Sequence, residues 1–123
     1  MSPRPDAELA AFARAFRAAH AQDVLGAIAS RVVLDNERVR IWELTLAPGE
    51  ASALHRHDLD YIIVLLAGDR IAAVPGPDSS RRPREAEVVP GRAFYLTSGE
   101  TEWAVNTGSR PYRELLIELK PRA

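Results

Sequence analysis

The sequence predicts an all-β domain, a small sandwich or barrel, preceded by one α-helix. Three observations carry that expectation. From Ser30 onward the chain falls into short runs rich in β-branched and aromatic residues. Turn pairs separate those runs at close intervals, among them Pro48-Gly49, Gly68-Asp69, Pro90-Gly91, Ser98-Gly99 and Gly108-Ser109. Ahead of them lies one alanine-rich stretch whose apolar residues recur at helical rather than strand spacing.

Pro3 and Pro5 keep the first residues extended, and Asp6 is placed to cap a helix. That helix runs from Ala7 to about Gln22, with Leu9, Phe12, Ala13 and Phe16 on one stripe and Arg14, Arg17 and His20 largely off it. The stripe is read as core or as a dimer contact. His20, near the helix end, is expected to face solvent, where a cation suits the negative pole of the helix dipole. Residues 1–29 form this helical extension and residues 30–123 one barrel domain; 123 residues suffice for one domain and not comfortably for two. The predicted strands are Ser30–Leu34, Arg38–Leu46, two runs between the histidines of the next stretch and Leu66, Arg70–Val74, Glu85–Val89, Ala93–Leu96, Glu102–Asn106 and Tyr112–Lys120. In the last, Arg113, Leu115, Ile117 and Leu119 alternate with Tyr112, Glu114, Leu116 and Glu118.

Composition narrows the function. A formal net charge of -1 offers neither a basic face for nucleic acid nor a polybasic run for an anionic membrane. The longest apolar run, Tyr61 to Ala67, is far short of a membrane span. The absence of cysteine removes disulfides and thiolate ligands. Asp6, Glu8, Arg14 and Arg17 interrupt the alanine-rich start, which counts against a signal or transit peptide, and a cytoplasmic location is the expectation.

The stretch Gly49 to Gly68 organises the rest. His55 and His57 stand two apart beside a β-forming run, so on a strand both imidazoles project to one face. Strict alternation sends Asp58 and Asp60 to the other face, unless a bulge re-aims Asp60.

The spacing of these residues resembles the cupins, small antiparallel barrels of the jelly-roll kind. Gly49, His55, His57 and Gly68 fall in register with the family's first motif. Gly91, Gly99 and Asn106 match the second, with Thr97 in place of its proline. The run from Arg38 to Lys120 also resembles small single-domain cupins of the β-alanine-degradation kind. The resemblance implies a divalent metal inside the barrel, held by the two histidines, a glutamate and a further histidine. Here Tyr61 occupies the glutamate position and Glu102 the histidine position.

Two imidazoles and one carboxylate on a common face are the ligand set of non-haem Fe(II) sites with open positions. The candidate metal ligands are therefore His55, His57 and Glu102, with Fe(II) favoured and Zn, Mn or Ni as alternatives, and Tyr61 is the candidate catalytic residue, positioning a proton. A lone ionised Glu102 facing an apolar interior is costly, so a metal ion, protonation, a charged partner or rotation to solvent must offset it. The leading expectation is a homodimeric dioxygenase-type enzyme acting on a small carboxylate or amino-acid derivative. A metal-free cupin that binds or senses a small ligand, with Tyr61 and Glu102 hydrogen-bonding the histidines, is the alternative, and Zn or Mn isomerase or hydrolase chemistry is a third. Trp42, Phe94, Tyr95 and Trp103 are candidates for the pocket mouth or an interface, Trp103 for packing between sheets or subunits. Arg38, Arg40, Arg92 and Arg113 are candidates for gripping a substrate carboxylate.

Overall fold

The computed structural model describes residues 1–122. Helix α1 spans Asp6–Ala19, with Pro5 rather than Asp6 at the N-cap position and no side chain capping it. Proline has a fixed φ and lacks an N–H, and its carbonyl takes the first helical bond from Leu9 N–H at 2.9 Å. Asp6 instead contributes negative charge to the first turn. The helix ends three residues earlier than expected. The His20 backbone closes the last turn on Phe16 and Arg17, and its ring lies half-buried rather than free in solvent, stacked 4.1 Å from Phe16 with Nδ1 3.0 Å from Asp23.

Nine strands follow: β1 (Arg31–Asp35), β2 (Val39–Leu46), β3 (His55–Arg56), β4 (Tyr61–Ala67), β5 (Arg70–Pro75), β6 (Arg84–Glu87), β7 (Ala93–Leu96), β8 (Thr101–Asn106) and β9 (Tyr112–Leu119). Every predicted run is found, with ends displaced by a residue or two where turns dictate. They form a five-stranded sheet in the order β1-β2-β9-β4-β7 and a four-stranded sheet in the order β3-β8-β5-β6. All pairings are antiparallel, and the sheets face each other as a jelly roll. No helix among the described residues is long and apolar enough to cross a membrane.

The turn glycines of the sequence pattern are backbone requirements. Gly68 has φ +127°, and a Cβ there would come within 3.1 Å of the Tyr112 ring and 3.3 Å of its Cα. Only glycine fits. Gly99 (φ +111°) turns the chain so that its N–H reaches the His57 carbonyl at 2.8 Å, while His57 N–H reaches Glu100 O at 3.0 Å. That pair ties the second histidine to the segment leading into β8.

The helix stripe is spent inside the chain. Leu9 and Ala13 are buried, and Phe12 and Phe16 pack with Leu54, Val74, Trp103 and Val105 on the outer face of the four-stranded sheet. Trp103 therefore lies between helix and sheet, its indole N–H donating to Asp23 at 2.9 Å. The inner faces meet in a second cluster that includes Leu44, Leu46, Leu65, Val88, Ala104 and Tyr112. On β9 the face turned inward is Tyr112, Glu114, Leu116 and Glu118, so two glutamates enter the barrel and the leucine–isoleucine face points out.

Candidate metal centre and cavity

His55 on β3 is paired directly with Glu102 on β8. Adjacent strands therefore deliver the first histidine and the carboxylate side by side. His57 follows one residue beyond β3, held by the turn bonds just described. All three side chains are buried, and their ligand atoms lie within 4.8 Å of one another. Ligands about 2.1 Å from a shared ion sit roughly 3 Å apart when its bonds are at right angles, so small side-chain rotations close the set.

The histidine chemistry fits a cation. His55 Nδ1 lies 2.8 Å from the Ala53 carbonyl and 3.3 Å from Ser52 Oγ. Donation to that carbonyl puts the ring proton on Nδ1 and leaves the Nε2 lone pair free for a metal. His57 is held neutral: burial, then the neighbouring His55, pushes its pKa down to about 3. Its Nδ1 is buried without a hydrogen-bond partner among the described residues. A neutral imidazole with unspent polar capacity beside a carboxylate is the chemistry a divalent ion requires.

Tyr61 projects from β4 onto this group. Its ring stacks on His57 with centroids 3.8 Å apart and planes 13° apart, and the two imidazoles meet edge to face at 4.8 Å. The Tyr61 hydroxyl is buried with no partner among the described residues, and burial, with the Glu102 charge behind it, raises the phenol well above its ordinary pKa. Glu102 also has a cation beside it, Arg84 on β6, at 3.3 Å. Of the four ways to offset its burial, a charged partner is thus present in the protein itself.

His55, His57 and Glu102 open onto a cavity of about 280 Å³ between the sheets, lined by aliphatic side chains, Phe94, Arg84, Arg92 and Glu114, and Tyr61 stands behind His57 rather than in the cavity wall. Of the expected arginines only Arg92 reaches it, lying 4.9 Å over the Phe94 ring. Arg38 is exposed, Arg40 pairs with Asp35 at 3.2 Å and Arg113 with Glu43 at 2.5 Å. Asp58 pairs with Arg56 on the surface. Asp60 accepts bonds from Tyr95 OH and Ser98 N–H, both at 2.9 Å, and stays out of the site. Among the aromatic candidates Phe94 lines the cavity, Tyr95 is exposed, and Trp42 donates to buried Glu118 at 2.6 Å. Sequence reasoning missed Arg84, Glu114 and Glu118. For the glutamates the available signal was that they share a strand face with Tyr112 and Leu116.

No family model matches the chain. Over 90 residues it is 30% identical to the beta-alanine degradation protein BauB of Pseudomonas aeruginosa, a match spanning 72% of this chain and 90% of that protein. It is 27% identical over 93 residues to auxin-binding protein T85 of Nicotiana tabacum, spanning 73% of this chain but only 50% of the tobacco protein. A second tobacco protein, auxin-binding protein T92, is likewise matched over about half its length. Among solved structures, a cupin domain from Bordetella pertussis superposes with a TM-score of 0.65 at 25% identity, covering 79% of this chain and 96% of that one. The double-stranded barrel, the paired histidines on it and the nearly full-length match to BauB agree, and the chain belongs to the cupins, in the family of small cupins that includes BauB.

Proposed function

We propose that this protein is a metal-dependent enzyme of dioxygenase type that acts on a small carboxylate or amino-acid derivative. The observation that carries the reading is the convergence of His55, His57 and Glu102, all buried, with His57 held neutral and Nδ1 of His55 committed to a carbonyl. These three residues would hold a divalent cation, Fe(II) in preference to Zn, Mn or Ni. Bound there, Fe(II) supplies a redox-active Lewis acid with open coordination positions. The protein supplies the rest. Arg84 and Arg92 offer positive charge to an incoming carboxylate, the aliphatic walls exclude water, and Tyr61 keeps an unpaired hydroxyl beside His57 for positioning a proton. The names of two relatives agree with a small substrate, β-alanine degradation for one and auxin binding for the other.

The metal-free reading has one observation in its favour: Arg84 gives Glu102 an opposite charge without any ion. Metal analysis of untagged protein, followed by oxygen uptake with small amino acids and carboxylates, separates the readings. The proposal expects near-stoichiometric iron and substrate-dependent uptake. Glu102→Gln, which keeps the shape and removes the charge, should lower metal affinity by about a hundredfold or more, beyond the usual loss of an outer-shell partner. Protein that neither retains nor takes up metal would be a ligand-binding cupin; zinc or manganese without oxygen uptake would indicate isomerase or hydrolase chemistry.

For assembly we propose a homodimer through the outer face of the five-stranded sheet. Leu34, Ile41, Ile117, Ile62 and Tyr95 lie in register across its five strands. The edge strand reads Arg31-Val32-Val33-Leu34-Asp35, with all three apolar residues exposed.

A further inference from the structure

One carboxyl in the cavity has no part in the metal group. Glu114 lies on β9 at the centre of the five-stranded sheet, 3% exposed, flanked across the sheet by Leu44 on β2 and Leu65 on β4. It lines the cavity, and its one side-chain partner among the described residues is Tyr112, whose hydroxyl donates to Oε1 at 2.5 Å. Arg31 and Arg113 pair with Glu43, Arg84 with Glu102, and Arg4 and Arg70 with Glu85, while Arg92, which also lines the cavity, lies over the Phe94 ring at 4.9 Å rather than against Glu114. A carboxyl buried among leucines with a single neutral donor lacks the cation that would make its charge inexpensive.

We propose that Glu114, oriented by Tyr112, is the receptor in this cavity for the primary ammonium of a ligand, so that the favoured ligands are short aliphatic amines and ω-amino acids rather than simple carboxylates. The carboxylate end of an ω-amino acid rests on the metal reading above; the ammonium end does not. The spacing suits a short chain. Tyr61, which stacks on His57, is in register with Glu118, and Glu114 lies four residues further along β9, roughly 13 Å at 3.3 Å per residue. Leu44, Leu65 and Leu116 line the cavity and would cover the methylene groups of such a chain. Electrostatics favours a cation over a neutral ligand. Burial raises the Glu114 pKa to about 7, the Tyr112 bond opposing and the Glu102 charge across the cavity adding to it. An ammonium would relieve both the burial and the repulsion.

The test uses EDTA-treated protein, so it stands apart from the metal question. n-Butylammonium, 1-butanol and butyrate are titrated while backbone amide shifts are followed by NMR. Butylammonium should bind more tightly than 1-butanol and shift amides of residues 112–116 together with those of Leu44 and Leu65. Glu114→Gln should weaken butylammonium by about tenfold or more, the scale of a charged hydrogen bond, and leave 1-butanol unchanged. Equal affinity for the alcohol, no binding of the amine, or unchanged amine affinity in E114Q would each overturn the proposal. Should E114Q not fold, Tyr112→Phe serves: without the hydroxyl that stabilises its charge, Glu114 should hold butylammonium severalfold more weakly, and an unchanged affinity would count against it. A protein that retains no metal yet passes this test would lose the dioxygenase reading and keep the ammonium site.

Discussion

The two sheets treat their faces in opposite ways. The four-stranded sheet is covered on both: its inner face carries His55, Glu102 and the half-exposed Arg84, with His57 just beyond β3, and its outer face, with Val74, Trp103 and Val105, is covered by helix α1. The five-stranded sheet is covered only within. Its inner face places Tyr61, Glu114 and Glu118 among aliphatic residues, while its outer face leaves the Leu34–Ile41–Ile117–Ile62–Tyr95 row without a covering element among the described residues. The difference says where each kind of stability resides. Chemistry and covalently tethered packing share one sheet; the other has apolar surface to offer a partner and inner carboxyls to offer a ligand.

The largest expected effect probes the covered face. Trp103 is 1% exposed and meets Phe16 edge to face at 5.3 Å. Trp103→Ala should cost about 3–5 kcal/mol in urea unfolding, from lost burial and the cavity left behind. The matching change on the bare face, Ile117→Ser, should cost the folded monomer only about 1 kcal/mol. It should instead convert a dimer to monomer in sedimentation. A dimer that survives I117S at micromolar concentration would remove the outer face as the interface and the asymmetry with it.

How far the sequence reached follows the same division. The histidine pair was legible because strand period fixes i and i+2 on one face, and Glu102 because spacing put it in the slot of a ligand. Helix α1 was legible from its stripe, though not which surface covers it, since an apolar stripe fits a barrel and a second subunit equally well. β9 was the difficult strand. Arg113, Leu115, Ile117 and Leu119 look like the inward face and are not; Tyr112, Glu114, Leu116 and Glu118 are. Binary pattern fails where a barrel keeps polar groups inside for use and apolar ones outside for contact. Arg84 was hidden for another reason. It reaches Glu102 across β5, a long-range relation that no local motif encodes.

Arg84 provides the next test, on the chemical face. It is bonded to the carboxylate that the metal reading needs, so it competes with an ion for Glu102. Its side chain is 44% exposed, so the pair itself adds little to stability, under about 1 kcal/mol. Arg84→Gln should therefore leave EDTA-treated protein nearly as stable while raising metal affinity, by up to about tenfold. Isothermal titration with Zn(II) as a redox-inert probe reads this directly. Lower affinity in R84Q would mean that the arginine orients Glu102 for the ion rather than competing for it.

The two walls should also answer pH with opposite signs. For His57 the folded pKa, about 3, lies below the ordinary 6.5, so between those values the unfolded chain binds more protons and stability rises with pH. For Glu114 the folded value, about 7, lies above the ordinary 4.5; the folded protein holds the extra proton between them, and stability falls as pH rises. From about pH 4.5 to 6.5 the contributions oppose each other, each limited to about 1.4 kcal/mol per pH unit. Glu114→Gln removes one of them. In EDTA-treated protein its unfolding free energy should climb with pH through this window more steeply than that of the wild type. Parallel curves would show that the Glu114 proton does not differ between folded and unfolded states.

The smallest expected effect belongs to Tyr61, which joins the two walls by stacking on His57. Its hydroxyl is fully buried and has no hydrogen-bond partner among the described residues, so it bears a desolvation cost with no hydrogen bond to offset it. Tyr61→Phe keeps the ring and the stack. In EDTA-treated protein it should be neutral or stabilising, by less than about 1 kcal/mol, against the destabilisation usual for trimming a core residue. A hydroxyl that gains a partner when the site fills behaves differently. The same change would then lower the stabilisation conferred by added metal, because linkage counts only what the folded, occupied state gains. Thermal unfolding of wild type and Y61F, each with and without Zn(II), forms a four-way comparison. Equal metal-induced shifts in the two proteins would leave Tyr61 as a stacking support for His57, and a smaller shift in Y61F would bring its hydroxyl into the site.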